Sequence, residues 1–422
     1  MRNWAGNYEY RARRLLEPRT VEELQGMVRA TDHVRVLGSR HSFNAIADTT
    51  WDHLSLARMP RLFRVDPVAR TVRVDGATRY GELCERLDEE GFALGAMASL
   101  PHISVAGAVA TATHGSGDRS RSLAAAVRAF DVVTADGALG TFSREADGDI
   151  FEGAVVSFGA LGVVTTVTLD VEPAYRMRQD VYDDLPLETF VDRFDDVTDA
   201  ADSTSFFTTW QRGSFHQVWL KRRVEDGSGE APAELFGAPR ATAPRHPIPD
   251  KDPRACTTQL GVAGPWHERL PHFGLDHTPS SGDELQSEYV VARADLVAAV
   301  RELWTLADRL APLVQVSEIR TIAGDDQWLS PAGGRPSAAI HFTWAPRWDE
   351  VRTLLPEVEA ILEPFAPRPH WAKLFTLSPA AVRGRYPRIE EFVSLARRHD
   401  PEGKFVNEFL ATYVFGGSAP AA

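Results

Sequence analysis

In Val316-Ser-Glu-Ile-Arg-Thr321 a carboxylate and a guanidinium stand two residues apart, so a strand through this segment presents Glu318 and Arg320 on one face. Ile340-His-Phe-Thr-Trp344 repeats the pattern, with His341 and Thr343 on one face and Ile340, Phe342 and Trp344 on the other. In His370-Trp-Ala-Lys-Leu-Phe375, read as a third strand, Lys373 shares a face with Trp371. Were these strands neighbours, acceptors and donors of both charges would converge on one polar surface able to bind and ionise a small polar molecule. The plainer alternative is a solvated sheet face carrying a salt bridge.

Two further segments are built for close backbone approach. Val36-Leu-Gly-Ser-Arg-His-Ser-Phe-Asn44 runs from a strand into a loop where Gly38 adds no side chain, so backbone N–H groups can reach an anion. Taken alone it also reads as an ordinary loop. It is no Walker loop, and no Gly-x-Gly-x-x-Gly opens a helix elsewhere. From Ser104 to Gly117 nearly every side chain is small, too small to fill a core. Such a segment either lets backbone lie along an extended ligand or is a tightly packed strand and turn. Thr111, Thr113, Ser104 and Ser116 supply hydroxyls there.

The elements that must position these residues follow from patterning. Thr20-Val-Glu-Glu23 has capping-box spacing, and Val21, Leu24 and Val28 then share a helical face. Short β-branched runs at His33 to Leu37 and Thr71 to Val74, with Phe130 to Thr134 and Leu161 to Val171, read as strands, and Gly81 to Glu90 as a helix. Glu172-Pro173 marks a boundary. Beyond it come a strand (His216 to Lys221), a Pro-rich loop from Ala231 to Pro271 of the kind that forms binding surfaces, and a helix near Ala294 to Leu310. Strands at Val314 to Ile322 and Ala338 to Trp344 follow, then a helical run near Val351 to Leu362. A net charge of −13 argues against nucleic acid and anionic membranes as partners. Apolar stretches such as Leu94 to Ala112 are broken by Pro, His and Gly, and the N-terminal residues lack a signal-peptide core, so a soluble, cytoplasmic chain is expected. Cys84 and Cys256 form no redox motif, no metal site is expected, and Cys84 reads as a buried apolar group. A monomer is compatible with the sequence.

Together the two small-residue segments resemble the FAD-binding domain of the vanillyl-alcohol oxidase superfamily, most closely its sugar-lactone and alditol oxidases. Asn3-Trp-Ala-Gly6, Phe158-Gly-Ala-Leu-Gly-Val-Val164 and Gly403-Lys-Phe-Val-Asn407 match as well. Trp266-His-Glu-Arg-Leu-Pro-His-Phe273, Leu285-Gln-Ser-Glu-Tyr289 and Ser317-Glu-Ile-Arg-Thr321 are similar to bacterial alditol oxidases, and the resemblance runs over essentially the whole chain. It implies an α+β, two-domain flavoprotein. Residues 1–173 would form a vanillyl-alcohol-oxidase-type (PCMH) FAD-binding domain and residues 174–374 a mixed-sheet substrate cap, with 375–422 returning to the FAD domain.

The resemblance further implies FAD bonded covalently to His41 and held by Val36, Leu37, Gly38, Ser39, Arg40, Ser42, Ser99, Ser104, Gly107, Thr111, His114 and Val164. Arg40 departs from the family loop, which reads Gly-x-Gly-His-Ser; it either pairs with the pyrophosphate or points outward. The substrate residues that match are Ser99, Glu318, Arg320, Thr343 and Lys373. The implied reaction oxidises the terminal alcohol of an alditol of the xylitol or sorbitol type, with O2 as the second substrate and hydrogen peroxide as product. A neutral polyol needs alternating acceptors and donors, which Glu318 and Arg320 supply. Lys373 and Arg320 would stabilise the developing alkoxide, and either His341 or Lys373 would take the proton, Arg320 being too basic. The alternatives are a sugar-lactone oxidase or dehydrogenase on the same fold, or a flavin-free carbohydrate-binding protein.

Overall fold

A computed structural model describes residues 1–225, 229–276 and 284–417. The helix Val21–Ala30 starts where Thr20 accepts from the Glu23 N–H at 3.2 Å, and it buries Leu24 and Val28. That face packs on a three-stranded parallel sheet in the order Arg14–Leu16, Asp52–Leu54, Val34–Val36. Beside it lies a five-stranded antiparallel sheet in the order Phe63–Asp66, Thr71–Asp75, Val163–Asp170, Val127–Val133, Leu139–Ser143. Cys84, in the helix Tyr80–Glu89, is fully buried in the adjoining core.

The small-residue segment departs from the extended backbone of both sequence readings over its first part. Val105–Ala110 is a short α-helix whose small surface fits a narrow space, the alanines favouring it and tertiary packing overriding the weak propensity of Val and Gly. A Cβ on Gly76 would lie 2.7 Å from the Val164 carbonyl oxygen and 3.1 Å from the Ala106 methyl, so only glycine permits this approach.

Residues 176–369 build an eight-stranded sheet in the order Gly264–Pro265, Arg176–Pro186, Ser214–Arg223, Ser203–Thr208, Val314–Ile322, Ser337–Trp344, Leu285–Ala292, Arg368–Pro369. Where the sequence reading gives a mixed sheet, every described pairing here is antiparallel, as short links such as that between Thr208 and Ser214 require. One face is apolar: Ile340, Phe342 and Trp344 are fully buried with Leu303 and Leu355 of the helices Leu296–Trp304 and Trp348–Leu362. The other face carries a transverse row in which Glu288 pairs with His341 and His341 with Glu318.

The third expected strand is corrected. After Pro369 the ladder ends, and residues 370–376 turn, with the Lys373 N–H donating to the His370 carbonyl at 3.0 Å. Trp371 is fully buried against Phe158 and Tyr386, so it does not share a face with Lys373. The chain then returns to the N-terminal sheets: Val34 N–H donates to the Lys404 carbonyl at 3.0 Å, and the Asn407 amide meets the carbonyls of Ala45, Ile46 and Asp48. Among the described residues no helix is long and apolar enough to cross a membrane.

Candidate active site

A cavity of about 730 Å³ lies between the small-residue segments and the polar face of the eight-stranded sheet. Every site residue expected from the sequence lines it, from Val36 to Ser42, through Ser99, Ser104, Gly107, Thr111, His114 and Val164, to Glu318, Arg320, His341, Thr343 and Lys373. His246, Ile248 and Lys251 of the Pro-rich loop also border it.

One end is a cradle. The Ser104 hydroxyl is buried without a hydrogen-bond partner, and a Cβ at either Gly38 or Gly107 would come within 2.8 Å of it. The Ser104 N–H is taken by the Ser39 hydroxyl at 3.0 Å, which fixes the two segments against each other. Both ring nitrogens of His41 are buried and unpaired, and the Trp4 ring stacks on it at 5.1 Å. Burial, reinforced by His102 and Arg79, lowers the His41 pKa to about 4, so its ring is neutral and keeps a free lone pair. Orphaned donors beside bare glycine backbone, in a cavity of cofactor size, fit a flavin dinucleotide. Arg40 resolves into the outward alternative: it is exposed, donates to the Arg2 carbonyl at 3.4 Å, and holds the left-handed φ of 64° that the family glycine would adopt freely.

The other end is charged. Arg320 donates to the Ser99 hydroxyl at 3.1 Å and to Glu288 Oε2 at 2.8 Å, and its Nε lies 3.6 Å from Glu318. Lys373 Nζ sits 3.0 Å from Glu288 Oε2 and 2.9 Å from His341 Nδ1, while His341 Nε2 meets the Thr343 hydroxyl at 3.1 Å. Glu318 Oε1 is 2.7 Å from His272 Nε2, and the His272 Nδ1 faces Lys221 Nζ at 3.1 Å. Burial would raise the Glu318 pKa, but Arg320 and His272 outweigh it and hold the carboxyl well below its usual range. Burial, then the Lys373 charge, lowers His341 to about 4. Lys373 is also pulled down by burial, with Glu288 opposing.

His114, expected at the cofactor, borders the cavity, and its ring directs Nε2 to Glu288 Oε1 at 3.0 Å. Sequence reasoning assigned no role to Glu288, His272, Lys221 or His370. The available signal was a glutamate directly before the apolar run Tyr289-Val-Val-Ala292, in one strand with it, since a buried charge needs partners.

Comparison with known proteins places this geometry. Residues 12–143 match the family model of an FAD binding domain, and residues 283–413 that of D-arabinono-1,4-lactone oxidase. The chain is 48% identical to an alditol oxidase from a Streptomyces species, covering 98% of this chain and 99% of that one. It is 27% identical to an L-gulono-1,4-lactone dehydrogenase from Mycobacterium tuberculosis, over 96% and 97% of the two chains. In fold it is similar to cholesterol oxidase from Brevibacterium sterolicum, with a TM-score of 0.75 at 13% identity over 98% and 96% of the chains.

Proposed function

The chain belongs to the alditol oxidase family of FAD-dependent oxidoreductases, and on that premise we propose that it oxidises the terminal primary alcohol of an alditol to the aldose, with O2 reduced to H2O2. The observation that carries the substrate class is the row of Glu318, Arg320, Thr343 and Lys373 at one end of the cavity. It offers donors and acceptors in alternation without an unpaired charge that an ionic substrate would need. When bound, FAD supplies the two-electron acceptor for the carbon-bound hydrogen and the route to oxygen.

The chain's own residues then do the following. Glu318 accepts from the polyol hydroxyls and Arg320 donates to them. Lys373, whose ammonium retains some exposure to the cavity, donates to the reacting oxygen as negative charge grows there. His341, neutral above about pH 4, carries one unprotonated nitrogen, and where this is Nε2 it takes the hydroxyl proton through the Thr343 hydroxyl it meets. His41 is the attachment point of the flavin, supported by its unpaired, neutral ring.

A sugar lactone is the second reading, favoured by the lactone-oxidase family model over residues 283–413. A peroxide assay over alditols, aldoses and aldonolactones separates the two. Peroxide from xylitol or sorbitol at the highest kcat/KM is expected; turnover of a lactone with none of any alditol would defeat the proposal.

A further inference from the structure

Glu288 has no exposed side-chain surface, and basic groups from four separate segments converge on it. His114 approaches Oε1 at 3.0 Å, while Arg320, Lys373 and His341 approach Oε2 at 2.8, 3.0 and 3.1 Å. The His114 ring is informative. Its Nδ1 lies 2.8 Å from the Gly115 carbonyl oxygen and its Nε2 faces the carboxylate, so each nitrogen meets an acceptor. His114 is thereby held between the backbone and the carboxylate, and the basic groups around Glu288 keep it ionised against its burial. In this group Glu288 and Glu318 stand against Arg320 and Lys373, so two carboxylates balance two cations.

The geometry points to Glu288 as a positioning residue for the alcohol oxidation, holding the Lys373 ammonium, the Arg320 guanidinium and the His341 ring in register against the substrate hydroxyl. This rests on the alditol oxidase reading. Glu288 acts through Lys373: burial disfavours the ammonium, and the Glu288 charge restores it. Arg320, Glu318, His341, His114 and His370 are the other ionisable groups around this pair. With Glu288 neutralised, burial and Arg320 push the Lys373 pKa down further, with only the smaller effect of Glu318 opposing them. A rate that needs protonated Lys373 falls as pH rises through that pKa, so its basic limb moves to lower pH. The acid limb, set by neutral His341 near pH 4, drops out of range.

The test is anaerobic reduction of the flavin by xylitol in the holoenzyme between pH 5 and 10, for wild type, Glu288→Gln and Glu288→Asp. Flavin content and melting temperature are measured alongside. Glu288→Gln should keep its flavin, lose about 30- to 1000-fold in limiting rate with a change in KM under about fivefold, and shift its basic limb down by about one pH unit or more. Glu288→Asp keeps the charge but withdraws the oxygens, so the limb stays and the rate falls. An unmoved limb in Glu288→Gln, or a wild-type rate in either variant, overturns the role. If Glu288→Gln does not hold flavin, Glu288→Asp decides by its rate. Wild type that no alditol reduces, but a lactone does, sinks the functional reading instead, and the same limb comparison with the lactone still judges Glu288.

Discussion

Replacing Glu318 by Gln separates recognition from chemistry. Lys221 is buried, and its Nζ donates to the carbonyls of Leu270 and Pro271 at 2.7 Å each and to His272 Nδ1 at 3.1 Å. His272 is neutral above about pH 4, so with Nδ1 accepting, its proton sits on Nε2 and is given to Glu318. In Glu318→Gln the amide oxygen must therefore turn to His272, and the amide NH2 then faces the Arg320 guanidinium, donor against donor. A hydrogen bond to a charged acceptor is worth about 1.5–3 kcal/mol and a neutral one about 0.5–1.5. The substrate hydroxyl thus loses about 1–2 kcal/mol, and disturbed Arg320 adds about 1 more. The sum of about 2–3 kcal/mol predicts a fall of about 30- to 150-fold in kcat/KM for xylitol. Steady-state peroxide assays with xylitol and with glycerol, at equal flavin content, measure it. Glycerol reaches fewer recognition groups and should lose far less. Equal losses would place Glu318 at the reacting hydroxyl, and no loss for either would refute the reasoning.

The other consequences are direct. Lys373→Met removes the donor nearest the alkoxide and should slow flavin reduction about 100-fold or more, at least about 2.7 kcal/mol, with flavin content intact; a raised KM alone would make Lys373 a binding group only. Acid-precipitated wild type should stay yellow and fluorescent, while His41→Ala should release its flavin; free flavin from the wild type would refute the covalent bond. Burial lowers the Lys221 pKa to about 7, so the proton that fixes His272 is present below that pH and lost above it. The KM for the polyol should therefore rise between about pH 6 and 9, and Lys221→Met should show the raised KM throughout. A flat wild-type KM profile would dismiss the relay.

Period-two alternation was enough to place Glu318 with Arg320 and His341 with Thr343, because side-chain direction in a strand is a local property. Register is not. Leu285–Ala292 precedes both neighbours in the chain yet pairs with the outer edge of Ser337–Trp344, and only that pairing brings Glu288 beside His341. The alternation at residues 370–375 imitated a strand, but Trp371 is drawn into the core and donates to the Leu329 carbonyl, which forces a turn. At Val105–Ala110 small side chains suggested extended backbone, whereas a run of Ala and Val closes a helix once a narrow space receives it. The glycine missing at Arg40 was visible, but the outward course of its side chain depends on the Arg2 carbonyl, which pairing of the N-terminal residues sets in place.

What joins the two ends of the site is backbone capture by a few polar side chains. The Asn44 amide donates to the carbonyls of Trp371 and Lys373 at 2.9 and 2.8 Å, and the Phe43 N–H donates to the Ala372 carbonyl at 2.8 Å. Residues 41 to 44 thus carry His41 at one end and, by these bonds, fix the turn that presents Lys373. Behind them the buried Arg35 guanidinium meets the carbonyls of Ile46, Phe158 and Phe405, tying three distant segments with no carboxylate involved. Neutral acceptors leave that cation uncompensated, and burial lowers its pKa to about 10. Its positive charge therefore stands beside the cavity it lines, next to Gly159. The polyol end, by contrast, balances its charges internally. The same cavity thus has a buried cation paired only with carbonyls in one wall and a network of paired carboxylates and cations in another.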